Sequence, residues 1–203
     1  TGTGFRATGS FSTARTFNLS ALNNAFEVTQ GNTLTLTTPF NLSALSNTLN
    51  KNDSGVFAIN ANNSTMTGAV TINGGAILMQ NGSALGSGTI TVNNPIGSAL
   101  QLSGGITVAN PITLTANSQA GGINGGGTIE SVLGVNTYNG LITQTAGNAA
   151  TYGADAGATL NINGNIATAN TSSFWAGTGG IINLNSILGN GGAGGALLKI
   201  GPG

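Results

Sequence analysis

Four carboxylates are the side chains of this chain that could act as general acids or bases: Glu27, Asp53, Glu130 and Asp155. Glycoside cleavage uses a pair of such groups around the scissile bond. The four acids are isolated from one another in the sequence, and none lies in a Gly- and Asp-rich calcium loop. The pattern therefore predicts four solvated loop charges. A fold that stacks successive turns could still bring two of them together in a cleft, and this alternative stays open.

Composition excludes several other catalytic centres. The chain has no His and no Cys, so Ser/His/Asp and Cys/His nucleophilic sites and His-based zinc sites cannot form. Lys51 stands beside Asp53, and we expect an ion pair or plain solvation rather than an isopeptide crosslink, which needs a nearby buried acid. The run Gly121–Gly127 lacks the Lys-Ser/Thr ending and the following helix of a phosphate loop. We therefore predict no catalytic residue, no cofactor and no metal site.

Two further features could contact a ligand. Phe174-Trp175 contains the single Trp and could offer a platform for a sugar ring, but packing at a corner or at an end of the fold is favoured. The Thr-x-Thr patterns in Thr33–Thr37 and Thr89–Thr91 could order water and bind ice. Thr is also common in exposed strands, and Asn interrupts the pattern from turn to turn. We therefore favour a structural role for both features.

The charge content is low for a soluble domain. Asp, Glu, Lys and Arg make up 4% of the 203 residues, with a net charge of zero, whereas soluble domains average about 25% charged residues. Hydrophobic residues make up 39%, which is enough to build a core, so we predict a folded chain. Four scattered cations, Arg6, Arg15, Lys51 and Lys199, do not form a nucleic-acid surface. No apolar run reaches the ~18 residues of a transmembrane helix.

The elements that must position these residues are short strands. Apolar residues alternate with Thr or Asn in six segments, and most of these are followed by Gly, Asn, Pro or Ser, which favour turns. No long segment has the periodicity of a helix, so the sequence predicts an all-β chain. The six segments are Thr33–Thr37, Val70–Asn73, Thr89–Asn93, Ile112–Thr115, Leu160–Asn163 and Ile182–Asn185.

Internal repeats indicate how the strands are arranged. Phe17–Leu22 recurs as Phe40–Leu45, and Thr91–Ile96 recurs as Thr107–Ile112, at a different spacing. Short, closely spaced strands and an aromatic content of 5% favour stacked turns over a sandwich or a barrel. We predict a single-stranded right-handed parallel β-helix, a β-solenoid, with irregular corner loops. One continuous solenoid segment is expected over residues 1–203.

Part of the chain resembles the autotransporter-associated β-strand repeat. Asn60–Leu78 runs from an Asn-rich turn through Thr-Met-Thr-Gly to a Thr-rich strand and Gly-Gly, with Met66 in place of the family's Tyr. Asn81–Gly88 is similar to the next segment of the family pattern. Val135–Gly140 looks like a second, weaker copy, and Leu197–Gly203 resembles the start of another repeat.

The resemblance is best over residues 49–115, weaker over 116–203 and weakest over the divergent N-terminal turns at 1–48. It implies a β-helical passenger region of a large bacterial surface protein, located outside the cell. Such passengers act as adhesins, matrix components or spacers. The resemblance supplies no catalytic residue.

The favoured function is that of an extracellular structural protein. Neither terminus shows a charged or helical cap, and an uncapped solenoid end leaves unpaired backbone groups. We therefore expect the rod to continue head-to-tail, in a longer chain or with another copy, as part of a cell-surface or matrix fibre. The alternative is an adhesin that binds a host or glycan ligand along a polar face. An enzyme acting on polysaccharide is the least favoured possibility, and nucleic acid is not an expected partner.

Overall fold

A computed structural model describes residues 3–19, 21–40, 47–93, 97–115, 126–145, 150–168, 172–190, 197–200 and 202. These residues form strands and turns and no helix. The prediction of an all-β chain is confirmed, and each of the six alternating segments overlaps one strand. In chain order the strands are Thr3–Ala7 (β1), Phe11–Thr13 (β2), Asn23–Val28 (β3), Thr33–Leu36 (β4), Thr48–Asn52 (β5), Val56–Ile59 (β6), Ala69–Ile72 (β7), Gly75–Met79 (β8), Ile90–Val92 (β9), Ser98–Ser103 (β10), Thr107–Val108 (β11), Ile112–Leu114 (β12), Ile129–Leu133 (β13), Val135–Tyr138 (β14), Ile142–Gln144 (β15), Ala150–Ala154 (β16), Thr159–Ile162 (β17), Ile166–Thr168 (β18), Ser172–Ala176 (β19), Ile181–Leu184 (β20), Leu188–Asn190 (β21) and Leu197–Ile200 (β22).

The strands stack into three parallel sheets. The first sheet has the order β1-β3-β5-β7-β9-β12-β15-β18-β21, and the second has the order β2-β4-β6-β8-β10-β13-β16-β19-β22. The third sheet, β11-β14-β17-β20, begins only in the middle of the chain. Each strand pairs with the equivalent strand of the next circuit of the chain, here called a coil. The predicted parallel β-solenoid is therefore confirmed.

Alternation along each strand places apolar side chains inside. Leu34 and Leu36 are fully buried, whereas Thr33 and Thr35 in the same strand are partly exposed. Burying a side chain of this size stabilises a fold by about 1.5–3 kcal/mol. The inner side chains also stack from coil to coil. One such column consists of Leu34, Phe57, Ile77, Leu100 and Ile129.

One corner of the solenoid requires glycine because successive coils approach closely there. A Cβ on Gly88 would lie 2.0 Å from the carbonyl oxygen of Gly68, and a Cβ on Gly140 would lie 1.9 Å from that of Asn110. The same construction at Gly164 gives 1.8 Å to the oxygen of Gly140. Any side chain at these positions would collide with the backbone of the preceding coil.

One sequence repeat does not mark one turn of the solenoid. Thr91 lies in β9 of the first sheet and is the register partner of Thr113. Thr107, its counterpart in the sequence repeat, lies in β11 of the third sheet. The same Thr-Val pattern thus serves two sheets, because each needs an outward Thr beside an inward Val. The other repeat falls partly on Ser20 and on residues 41–46, which lie outside the described residues, as do residues 94–96.

Aromatic side chains fill the core of the first coils. The rings of Phe26 and Phe57 stack with centroids 4.5 Å apart, and Phe17 packs edge-on against Phe26 at 5.2 Å. Phe5 contacts Phe17 at 5.2 Å and Phe11 at 6.3 Å. Edge-on and offset ring pairs each add about 0.5–1.5 kcal/mol beyond their buried area. The low overall aromatic content therefore conceals a local aromatic core at one end of the stack.

Candidate functional site

The outer face of the first sheet carries a column of small polar side chains. Its members lie opposite one another on successive strands from β5 to β15, and each is partly exposed. Strands in a sheet lie about 4.8 Å apart, so the column is a regular array. It consists of Asn50, Thr71, Thr91, Thr113 and Thr143.

A second column on this face is joined by side-chain hydrogen bonds. Nδ2 of Asn73 donates to Oδ1 of Asn52 at 3.0 Å, and Nδ2 of Asn93 donates to Oδ1 of Asn73 at 3.3 Å. Oγ1 of Thr115 donates to Oδ1 of Asn93 at 2.7 Å. Asn and Thr therefore stack at equivalent outward positions of successive coils.

The third sheet carries two further asparagine ladders. Nδ2 of Asn163 donates to Oδ1 of Asn139 at 3.0 Å, and Nδ2 of Asn185 donates to Oδ1 of Asn163 at 3.0 Å. Beside them, Nδ2 of Asn183 donates to Oδ1 of Asn161 at 2.8 Å. In each ladder the amides hydrogen-bond one another, so these atoms are already paired within the protein.

Lys51 lies on the inner side of β5, and its side chain is fully buried. Its Nζ donates to the backbone oxygens of Asn52, Asp53 and Gly74 at 2.7, 2.8 and 3.0 Å. Burial lowers the pKa of Lys51 from 10.5 to about 8, and the charge of Asp53 opposes this shift. The ammonium therefore joins two successive coils. The prediction of an ion pair or plain solvation is wrong, because carbonyl oxygens inside the fold hold this group.

Three other charges meet on the surface of the first coils. Nη2 of Arg6 lies 3.3 Å from Oδ2 of Asp53, and Nε of Arg6 lies 3.8 Å from Oε2 of Glu27. The Arg6 side chain is 59% exposed and each acid is 39% exposed. The prediction of solvated loop charges is correct for Asp53, whereas Glu27 is partly exposed but lies within β3. Both acids are paired with Arg6.

Glu130 is buried on the outer side of the second sheet. Nε2 of Gln101, on the neighbouring strand, donates to Oε2 of Glu130 at 2.6 Å. The carboxyl of Asp155 lies close enough to Glu130 to interact with it. The backbone of Gly126 covers the group so closely that a Cβ there would lie 1.6 Å from Oε1 of Glu130. The prediction of four solvated loop charges is therefore wrong for Glu130.

The environment of Glu130 favours its protonated form. Burial raises its pKa from 4.5 to about 8. The hydrogen bond from Gln101 opposes the shift, and the charge and hydrogen bonding of Asp155 add to it. At neutral pH Glu130 consequently stays protonated.

The two acids that come together do not line an open cleft of the kind a glycosidase site needs. Retaining enzymes hold their carboxyl groups about 5–5.5 Å apart and inverting enzymes about 6.5–9.5 Å apart. Those separations leave room for a sugar between the two groups, whereas Asp155 interacts directly with Glu130, and Glu130 itself is buried. Gly126 also covers Glu130. The stacking of turns thus produces a pair of acids without a cleft.

Trp175 lies within a strand near one end of the second sheet and not at a corner. It is the register partner of Gly153 and is partly exposed. Its neighbour Phe174 points to the opposite side, where its ring stacks on Tyr152 with centroids 5.2 Å apart. Of the two predicted locations, the corner is wrong because β19 continues through both aromatic residues, whereas the position of β19 next to the last strand of its sheet agrees with an end of the fold.

The remaining sequence candidates do not form a common site. Thr33–Thr37 begins with β4 in the second sheet, whereas Thr89–Thr91 belongs to the first sheet, so the two Thr-x-Thr patterns form no single array. In the run Gly121–Gly127, only Gly126 and Gly127 are among the described residues. Gly126 serves as the cover of Glu130.

Sequence reasoning did not predict a set of buried asparagines whose side chains hydrogen-bond the backbone of the neighbouring coil. Oδ1 of Asn136 accepts hydrogen bonds from the backbone N–H groups of Gly105 and Ile106, both at 3.0 Å. Nδ2 of Asn136 donates to the backbone oxygen of Leu102 at 3.2 Å. The alternation along Val135–Tyr138 could have predicted the burial of Asn136, because Asn136 and Tyr138 point to the same, inner side of the strand. Asn63 and Asn110 bridge adjacent coils in the same way.

Within the described ranges, no three acidic, His or Cys side chains come close enough together to hold a metal ion. That part of the chain also contains no helix long and apolar enough to cross a membrane. Comparison with protein-family models, with curated proteins and with solved structures finds no match to this chain. The resemblance to the autotransporter-associated repeat remains a prediction.

Proposed function

We propose that this chain is a structural protein, a β-solenoid rod that forms part of an extracellular or bacterial cell-surface fibre and has no enzymatic activity. The observation that carries the proposal is the uninterrupted stack, in which the first sheet runs from β1 to β21 and the second from β2 to β22. Backbone hydrogen bonds along such a stack resist extension of the rod. Mechanical continuity is the property that a fibre requires.

The ionisable side chains support a structural role. The ammonium of Lys51 is bound by three carbonyl oxygens of its own chain. Glu130 is bound by Gln101 and Asp155 beneath Gly126. Each of these groups is committed to partners within the protein, which disfavours its use in proton transfer to a substrate.

The ends of the stack favour continuation of the rod. Among the described strands, β1 and β2 pair on one side only, and so do β20, β21 and β22. Apolar side chains are accessible at both ends, with Phe11 42% exposed and Leu184 38% exposed. A strand edge of this kind can pair with a further strand. The proposed partner is the next coil, either from more of the same chain or from a second copy.

The test measures association with variants at the two ends. Light scattering over a range of concentrations, together with negative-stain images, should show end-to-end particles that lengthen with concentration. Phe11→Lys and Leu184→Lys place a charge at either end and should abolish this lengthening. Leu141→Lys is the matched control, since Leu141 is 51% exposed but precedes β15 on the side of the stack.

Three outcomes separate the versions of the proposal. Separate short particles at every concentration would reject assembly from copies and leave continuation within a longer chain, which images of the full-length native protein then test. Lengthening that Leu141→Lys also abolishes would indicate lateral contact instead of end contact. Hydrolysis of a polysaccharide that is lost in Glu130→Gln would reject the non-enzymatic role.

A further inference from the structure

A trough crosses the outer face of the first sheet in its first coils. Its volume is about 320 Å³, within the lower range of ligand-binding pockets. Amide side chains dominate its lining, and no charged group takes part. The lining residues are Gly4, Asn23, Asn24, Ala25, Asn50, Asn52 and Asn73. This feature is called the asparagine trough below.

The trough exists because side-chain size changes along one column. Gly4, Ala25 and Asn50 are register partners on β1, β3 and β5. The outer surface therefore steps from no side chain to a methyl group and then to an amide. Farther along the same column the positions are occupied by Thr, as in Thr71, and the floor is filled.

Hydrogen bonds within the protein orient the amides that line the trough. Nδ2 of Asn50 donates to the backbone oxygen of Asn24 at 3.3 Å, and Oγ1 of Thr48 donates to Oδ1 of Asn23 at 3.0 Å. Nδ2 of Asn73 donates to Oδ1 of Asn52 at 3.0 Å. One end of each amide is thereby fixed, which reduces the entropy that a ligand must overcome to order it.

The opposite ends of three amides remain available to a ligand. Nδ2 of Asn23, Oδ1 of Asn50 and Nδ2 of Asn52 make no hydrogen bond to any described residue. The trough thus offers two donors and one acceptor. A hydroxyl group both donates and accepts, so adjacent hydroxyls of one sugar ring can match this set.

The surrounding charge selects among sugars. Glu27 and Arg6 continue the column of Asn52 on β3 and β1. Together with Asp53 they form an ion-paired group of one cation and two anions, with a net formal charge of minus one. Such a rim repels carboxylated or sulfated sugars and does not affect neutral ones.

We propose that the asparagine trough binds a neutral saccharide of one or two rings through its hydroxyl groups. This inference goes beyond the rod function, because the trough lies on the side of the stack. It gives the rod a place at which to hold a neutral glycan chain. End-to-end assembly does not depend on it.

The test uses saturation-transfer NMR and titration with maltose, cellobiose, mannobiose and diacetylchitobiose, and with 3′-sialyllactose as the anionic probe. At least one neutral disaccharide should bind with a Kd in the millimolar range, about −4 kcal/mol. Ala25→Leu fills the trough and should raise that Kd at least tenfold. Ala167→Leu is the matched control, because Ala167 is an exposed residue on β18 in the same column.

A second variant guards against misfolding of Ala25→Leu. Asn23→Leu keeps the side-chain size at an exposed position and removes the amide, so it should also raise the Kd at least tenfold. Circular dichroism checks the fold of each variant. The inference is overturned if no neutral disaccharide binds, if only sialyllactose binds, or if Ala167→Leu weakens binding as much as Ala25→Leu. End-to-end lengthening should persist in all three variants, so failure here is distinct from failure of the rod function.

Discussion

The first coils and the middle coils of the solenoid bury ionisable groups of opposite sign in different ways. Lys51 lies inside the stack, between Phe26 and Ile72 in its column, and its partners are backbone carbonyls. Glu130 lies on the outer side of the second sheet, and its partners are the side chains of Gln101 and Asp155. One group is held by the main chain and the other by side chains.

The difference explains why the fold keeps Lys51 charged and Glu130 neutral at neutral pH. An ammonium has three donors and no acceptor, and Lys51 satisfies all three with carbonyl oxygens, so the cation persists at neutral pH although its pKa is lowered to about 8. For Glu130, burial disfavours the carboxylate more than the single hydrogen bond from Gln101 favours it, and the nearby charge of Asp155 adds to this, so Glu130 takes up a proton instead. A solenoid corner can therefore hold a buried cation through its backbone, whereas the buried acid is accepted in its neutral, protonated form.

The largest expected effect is that of removing the buried cation. Lys51→Met leaves three backbone oxygens without their donor, and each unsatisfied buried group costs about 1–3 kcal/mol. We therefore expect the free energy of unfolding, measured in urea, to fall by at least about 3 kcal/mol.

The matched control for Lys51→Met is Ile72→Met. Ile72 is the buried register partner of Lys51, and an apolar exchange of similar volume costs less than about 1.5 kcal/mol. Equal stability of Lys51→Met and the wild type would show that the ammonium only fills space. The conclusion that main-chain carbonyls stabilise this cation would then be wrong.

Glu130 should show an intermediate effect that depends on the form of the replacement. Glu130→Ala removes the partner of Gln101 beneath Gly126 and should cost about 2 kcal/mol at pH 6, since a buried polar group is left unpaired. Glu130→Gln imitates the protonated acid, can still donate to Asp155, and should change stability by less than about 1 kcal/mol. Urea titrations of the two variants make this comparison.

The pH dependence separates the two groups further. The pKa of Glu130 is raised from 4.5 to about 8, so between these values the folded state holds a proton that the unfolded chain releases, and stability falls as pH rises. The pKa of Lys51 is lowered from 10.5 to about 8, so between about 8 and 10.5 stability rises with pH. Glu130→Gln should remove the fall and keep the rise. A wild-type profile that is flat from pH 4.5 to 8 would contradict the buried, protonated Glu130.

The strands of this fold could be predicted because their signal is local. In Thr33–Leu36, the alternation of Leu with Thr fixes which side is buried, and neighbouring coils only add to it. The inward phase of Lys51 is readable in the same way, since Leu49 and Lys51 share one side of β5. The carbonyl partner Gly74 could not be predicted, because it belongs to the next coil.

The features that sequence reasoning missed depend on contacts between coils. The backbone of Gly126 covers Glu130, and Asp155 approaches it from the next coil; neither contact follows from the residues that flank Glu130. The first strand of the third sheet, β11, was missed for a different reason: it is only two residues long, and such a segment has no periodicity to detect. The later strands β17 and β20 of the same sheet were predicted from their alternation.

The smallest expected effect belongs to the exposed charges of the first coils. Exposed ion pairs contribute about 0–1 kcal/mol and are screened by salt, so Arg6→Ala should lower the free energy of unfolding by less than about 1 kcal/mol. The loss should shrink further in 1 M sodium chloride. Arg15→Ala is the matched control, since Arg15 is exposed and forms no ion pair with any described residue. If Arg6→Ala cost as much as Lys51→Met, exposure would not distinguish the two cations, and the stability of the first coils would depend on the surface pairs instead of the buried ammonium.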